Sequence, residues 1–122
     1  MNKKKFKNVF VALGGTSGER AVSIETGKAC IKALRKLGYK VSVFDPKLKN
    51  FNLIDKNKTD VIFNALHGKD GEDGVAQSYF EYLKIPYTHS GVISSFNAMN
   101  KVISKEIFIK NSIKTPKFYS IK

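Results

Sequence analysis

The segment Asn8-Val9-Phe10-Val11-Ala12-Leu13 is apolar at every position after its first residue and stops at Gly14-Gly15. A strand with one wet face alternates apolar and polar side chains. A continuous apolar run has to be covered on both faces, and strands of that kind belong to parallel sheets flanked by helices. The run therefore predicts a buried parallel strand, and with it a need for further strands and for helices to cross between them.

The rest of the chain supplies both. From about Ala21 to Leu37 the apolar residues Cys30, Ala33, Leu34 and Leu37 recur at helical spacing, and Gly38 follows where a helix-terminating glycine belongs. Lys40–Asp45 reads as a second strand, closed by Pro46. Residues 47–59 are polar and irregular, with Phe51, Leu53 and Ile54 as anchors for a short helix. Asp60–Leu66 is a third strand running into His67-Gly68. A helix over Gly74–Leu83 places Val75, Ala76, Tyr79, Phe80 and Leu83 on one face; Ile85–Thr88 is a short fourth strand. A last helix over Ser94–Lys110 precedes an extended end, Thr115–Ile121. The alternation specifies the α/β class, an open parallel sheet with right-handed crossovers and helices on both faces. In such sheets ligands bind beyond the carboxyl ends of the strands, where the strand order reverses. Two loops leave strands at that edge, Gly14–Ser23 and His67–Gly74.

Composition narrows the function classes. A chain of 122 residues is one domain by length. No apolar run approaches the ~20 residues that span a bilayer. The basic start, Met1-Asn2-Lys3-Lys4-Lys5, precedes an apolar stretch too short for a signal-peptide core. A cytoplasmic protein without a membrane partner is the expectation. The lone Cys30 excludes an intrachain disulfide and reads as a small buried hydrophobe. A net charge of +12 raises nucleic-acid binding, but the charge is nearly all lysine, spread from Lys3 to Lys122. Only Arg20 and Arg35 offer the guanidinium groups suited to bidentate phosphate or base contacts. The expectation is no nucleic-acid partner, with a surface that attracts anionic small molecules such as nucleotides.

Each loop admits two readings. In Gly14-Gly15-Thr16-Ser17-Gly18-Glu19-Arg20 the glycines allow a tight turn, and the N–H groups at the following helix start favour anions. The spacing fits neither the dinucleotide fingerprint nor a P-loop. Glu19 is then either a first-turn acid stabilised by the helix dipole, with Ser17 or Thr16 capping, or a carboxylate that grips an ammonium group. In His67-Gly68-Lys69-Asp70-Gly71-Glu72-Asp73-Gly74 the acids lack the alternation of an EF-hand, and Glu72 and Asp73 read as caps of the next helix. His67, at the end of a buried strand, is either a structural histidine or a functional one facing the glycine loop.

The blocks Gly14–Ser23, Ala65–Gly68 and Gly71–Gly74, followed in order by Pro86-Tyr87-Thr88-His89-Ser90-Gly91-Val92 and Asn100-Lys101, resemble the amino-terminal region of D-alanine–D-alanine ligases. The resemblance covers almost the whole chain. It implies a Rossmann-like pre-ATP-grasp domain over 1–98, with 99–122 beginning the central ATP-grasp domain. It further implies a ligase that makes the D-Ala-D-Ala dipeptide of peptidoglycan with ATP and Mg²⁺, through a D-alanyl phosphate. By position, Glu19 corresponds to the carboxylate holding the first D-alanine's ammonium group, and Val22 lies near that alanine's methyl. Ser23 supports the loop, His67 sits close to the alanine's carboxyl group, and Lys101 contributes to ATP phosphate binding. Family members are commonly homodimers. The chain departs from the family in carrying Asn100 where Asp is usual and His89 where Gly is usual. The Mg²⁺ ligands and most ATP contacts fall in central and carboxyl-terminal domains beyond Lys122, so the segment alone is expected to be inactive and to include no metal ligand. The alternative is a free-standing module of the same fold that binds a small ligand or regulates.

Overall fold

The structure, a computed structural model, describes residues 6–121; the basic start Met1–Lys5 and the terminal Lys122 lie outside the described residues. Strand β1 (Asn8–Ala12) is followed by helix α1 (Arg20–Lys36), strand β2 (Lys40–Phe44), a single 3₁₀ turn (Phe51–Leu53) and strand β3 (Val61–Asn64). Helices α2 (Val75–Tyr82), α3 (Val92–Met99) and α4 (Lys101–Lys110) complete the order. Among the described residues the strands form one parallel sheet in the order β2-β1-β3, with Val9 opposite both Val41 and Val61.

Strand β1 is central, which is why its side chains are apolar throughout. Val9, Val11 and Leu13 point to one face, where they pack with Ala65 and with Ile24, Ile31 and Leu34 of α1. Phe10 and Ala12 point to the other, against a cluster of Phe44, Ile62, Leu66, Ala76 and Phe80. Fully burying a side chain such as Phe80 or Ile62 contributes roughly 1.5–3 kcal/mol, so these two layers supply most of the drive to fold. From β1 the chain goes to β2 on one side and then to β3 on the other. The strand order therefore reverses between the ends of β1 and β3.

The helical stripe expected at Cys30, Ala33, Leu34 and Leu37 is rotated. Only Leu34 of that set packs in the core; Cys30 is half-buried, and Ala33 and Leu37 are exposed. The buried face instead follows Ser23 and Gly27, with Ile24 and Ile31 beside them. A Cβ on Gly27 would lie 2.5 Å from Leu13 Cδ2, so the small residues let α1 sit directly on β1 and turn its later apolar residues outward.

Two further expectations are corrected. Ile85–Thr88 forms one parallel bridge, Ile62 to Tyr87, rather than a strand. The Ile62 N–H donates to the Pro86 carbonyl at 2.8 Å and the Thr88 N–H to the Ile62 carbonyl at 3.0 Å, but Pro86 has no N–H with which to extend a ladder. The helix expected over 94–110 is broken at Asn100, which is extended at φ −86° and ψ 105°. Its Oδ1 accepts the N–H groups of Val102 and Ile103 at 3.1 and 3.2 Å, capping α4. An aspartate there would accept the same pair of bonds. The end of the chain carries no regular structure, and Lys105 holds it by donating to Thr115 Oγ1 and to the Pro116 carbonyl, each at 2.8 Å.

His89 is exposed and left-handed, at φ +80°. A non-glycine residue there costs about 1–2 kcal/mol, against about 0.5–1 kcal/mol of extra unfolded-state freedom for glycine. His89→Gly should therefore raise stability by about 0.5–1 kcal/mol, seen as a higher urea midpoint with an unchanged slope.

Candidate functional site

The site is assembled from side-chain hydroxyls at the strand ends. Ser23, in the first turns of α1, is completely buried. Its Oγ accepts the Gly14 N–H at 2.8 Å and donates to the Ala65 carbonyl at 2.6 Å. One hydroxyl thus satisfies polar groups at the ends of β1 and β3 and fixes the start of α1 over the point where strand order reverses. Ser17 Oγ accepts the Glu19 N–H at 3.1 Å and donates to the His67 carbonyl at 2.7 Å. Thr16 Oγ1 donates to Asp70 Oδ2 at 3.3 Å. The two loops singled out in the sequence are one unit.

Glu19 is the N-cap residue of α1, yet its side chain makes no capping bond. Its carboxylate is exposed and lies over Gly68, where a Cβ would run into Oε2. Gly68 has φ +69°, a second reason for glycine at that position. Neither Thr16 nor Ser17 caps the helix, so a carboxylate sits at the positive end of α1 beside His67's loop with no partner in α1's first turn. Val22, a turn on, is 56% exposed.

His67 is half-buried. Its Nε2 is 3.2 Å from Thr26 Oγ1, and its Nδ1 is 3.8 Å from Glu72 Oε1. Glu72 does not cap α2: its Oε2 accepts the Gly68 N–H at 2.7 Å, closing the loop on itself. Asp73 accepts the Val75 N–H at 3.2 Å and the Asp70 N–H at 2.9 Å, but the N-cap residue of α2 is Gly74, so neither acid of the pair caps the helix. Beneath the loop the buried amides of Asn64 and Gln77 both donate to the Gly71 carbonyl at 3.0 Å. The polar layer under the loop was invisible in the sequence, because Asn64 and Gln77 occupy apolar-looking segments.

A pair not anticipated as part of the site fastens the glycine turn to β2. Arg20 Nη2 donates to Asp45 Oδ2 at 2.6 Å, while Nη1 donates to Asp45 Oδ1 at 3.0 Å and to the Gly15 carbonyl at 2.8 Å. Asp45 Oδ1 also accepts the N–H groups of Gly15 at 3.0 Å and Lys47 at 2.9 Å. Burial opposes ionisation of Asp45, but the Arg20 guanidinium and these N–H donors outweigh it and hold the carboxyl below its usual value. The available signal was an aspartate ending a strand at the same sheet edge as the glycine turn.

A cleft of about 310 Å³ adjoins the joined loops, with Thr16, His67, Lys69, Lys49, Phe51 and Tyr79 among the residues that line it. Phe51 and Tyr79 stack with centroids 4.6 Å apart and planes 13° apart. Glu19 and Val22 stand outside it, at the start of α1. Lys101 is exposed at the start of α4. No group of three or more His, Cys, Asp or Glu side chains among the described residues is arranged to hold a metal ion. No helix among them is long and apolar enough to cross a membrane.

A family model described as D-ala D-ala ligase N-terminus matches residues 42–90, which include the His67 loop. The D-alanine–D-alanine ligase of Pelagibacter ubique is 54% identical over 112 residues, and that of Cereibacter sphaeroides is 47% identical over 105. The crystal structure of the Bacillus anthracis D-alanine–D-alanine ligase complexed with ATP superposes with a TM-score of 0.79 at 41% identity, over 91% of this chain. Over most of its length the chain is similar to the amino-terminal part of D-alanine–D-alanine ligases. Its matches take up 92% of this chain but 37% of the Pelagibacter ligase, and 38% of the Bacillus chain. This chain thus spans little more than a third of the relatives it matches. The D-alanyl-alanine synthetase A of Vibrio cholerae, at 22% identity and a TM-score of 0.78, shares the fold.

Ser23→Ala strands the Gly14 N–H and the Ala65 carbonyl in the interior and should cost about 1–3 kcal/mol in chemical denaturation. Asp45 gives a pH-dependent counterpart. Its folded pKa lies below the unfolded value, so its contribution is present above the unfolded pKa and is lost as pH falls through the folded one. Asp45→Asn should be less stable than the parent chain near neutrality. The difference should vanish on acidification below the usual carboxylate range, as followed by urea midpoints at stepped pH.

Proposed function

We propose that this chain is the substrate-gripping amino-terminal part of an ATP-dependent ligase that joins two D-alanines. The observation that carries the reading is the Glu19 carboxylate, left unused by its own helix and set over Gly68 in the loop that begins with His67. A carboxylate free of capping duty, beside the loop that leaves a strand end, suits an ammonium group. Glu19 binds the ammonium of the first D-alanine, and exposed Val22 contacts its methyl. His67 stands near the alanine carboxyl, its ring braced by Thr26 and its loop by Glu72. Ser23 makes no ligand contact in this reading; being fully buried, it acts by holding the loop. Residues 1–98 form the substrate domain and 99–122 begin the next, with Lys101 directed to the phosphates of ATP.

The chemistry is acyl transfer through a mixed anhydride. The first D-alanine's carboxylate displaces ADP from the γ-phosphorus of ATP. The second D-alanine's amine then attacks the acyl carbon, and phosphate leaves. The residues of this chain bind and orient the first amino acid; Mg²⁺ and most ATP contacts belong to further domains, so the segment alone is inactive. The product is the peptidoglycan dipeptide, made in the cytoplasm by a homodimer. Against a free-standing module stands the exposed apolar surface on and after the last helices, with Ile93 72%, Phe96 56% and Ile109 60% exposed. Such a surface calls for further protein to cover it.

The test is a graft of this chain onto the remaining domains of the Pelagibacter ubique ligase, in place of its matching region. The graft should form D-Ala-D-Ala with release of phosphate, and Glu19→Gln should lower kcat/KM by about a hundredfold or more with little change in melting temperature. Unchanged turnover in Glu19→Gln, or a folded graft without activity, would sink the reading.

A further inference from the structure

We infer that Arg20 and Asp45 are positioning residues for Glu19, setting where its carboxylate stands by clamping the glycine turn to the end of β2. The inference rests on the assignment of Glu19 to the substrate's ammonium group. Arg20 follows Glu19 directly in the chain and begins α1, so whatever fixes Arg20 fixes the backbone that carries the carboxylate. What fixes it is a closed set of bonds. The guanidinium spans both oxygens of Asp45 and the Gly15 carbonyl, while Asp45 Oδ1 accepts back from the Gly15 N–H. Gly15 is thus held at both its N–H and its carbonyl by one ion pair. A Cβ on Gly14 would lie 2.5 Å from Asp45 Oδ2, so the carboxylate also packs tightly against the turn.

The geometry of the pair explains why it takes an arginine. Holding Asp45 by both oxygens and Gly15 at the same time needs a planar fork of donors, which the point charge of a lysine lacks. The pair is also well shielded, with Asp45's side chain 10% exposed and Arg20's 28%. Screening by water and salt is correspondingly weaker than for a surface ion pair. From the other side of the turn, Ser17 ties the Glu19 N–H to the His67 carbonyl. Glu19 is thereby held between two anchors, one on β2 and one on the loop after β3. Releasing the β2 anchor leaves Ser23 and the core in place but frees the turn to shift. A displacement of about 1 Å at a substrate-holding group is enough to cost on the order of a hundredfold in reactivity.

The experiment uses the grafted ligase described above, with Asp45→Asn, Arg20→Lys, Arg20→Ala and Glu19→Gln, each checked for folding by circular dichroism and melting temperature. A positioning role predicts that Asp45→Asn and Arg20→Ala raise KM for D-alanine about tenfold at saturating ATP, while KM for ATP stays within about twofold. Arg20→Lys, which keeps the charge and loses the fork, should fall between Arg20→Ala and the parent. A purely structural role would lower melting temperature and apparent kcat together and leave KM for D-alanine unchanged; that result overturns the proposal. If Asp45→Asn does not fold, the two Arg20 variants decide by the same criterion. Should Glu19→Gln itself leave D-alanine kinetics intact, the assignment of Glu19 fails and this proposal fails with it. Should Glu19→Gln abolish activity while folded Arg20 and Asp45 variants keep the parental KM, only the positioning role is lost.

Discussion

Burial of the central strand on both faces is the constraint from which the rest of the structure follows. Because Val9 and Val11 face one layer and Phe10 and Ala12 the other, neither helix layer can be omitted without exposing β1. Because β1 pairs on both edges with parallel partners, the chain must leave it in one direction and return on the opposite side. That return creates the gap between the ends of β1 and β3, and the loops that fill it have to satisfy the last backbone groups of both strands. Ser23 does so with a single hydroxyl. The candidate site stands at this edge as a consequence of sheet topology, before any chemistry is considered.

The polar side chains around the gap divide by burial into those that build and those that face outward. Ser23, Asn64 and Gln77 are buried and bond to backbone. Asp45 is nearly buried and neutralised by Arg20. Glu19 and Val22 project from the same short stretch of α1 and are exposed. Of these scaffold groups only Gln77 Oε1 is left without a partner, while the Glu19 carboxylate, unbonded by its own helix, faces outward.

The sequence made three strands, their parallel sense and the two loops legible, since each rests on local signals, but it also read a fourth strand over Ile85–Thr88 where the chain forms one bridge. What it concealed was non-local. The face of α1 was misread because the residues that touch β1, Ser23 and Gly27, are small rather than strongly apolar, and close approach outweighed hydrophobicity. The break at Asn100 was hidden because apolar spacing continues across it, whereas the stop depends on one side chain turning back to cap the next helix. The reach of Arg20 to Asp45 spans the interval between α1 and β2, and no periodicity reports such a pairing. Glu72 read as a helix cap from its place in the chain, but its loop curls so that the Gly68 N–H is nearer. The departures at His89 and Asn100 were legible as departures; the backbone shows one to be strained and the other to be an equivalent cap.

The hydroxyl ties between the loops also set when their disorder is removed. Glycine-rich segments lose more conformational freedom on ordering than any others. Here Ser17, Thr16 and Ser23 fasten both loops as the sheet forms, so that loss is met once, at folding, by the cooperative free energy of the whole domain. A small molecule arriving at the edge then has mainly its own motion to give up, and the rim it meets is already close to its final shape. Tight hold on any ligand with few atoms to offer in contact depends on that division of the entropy between folding and binding.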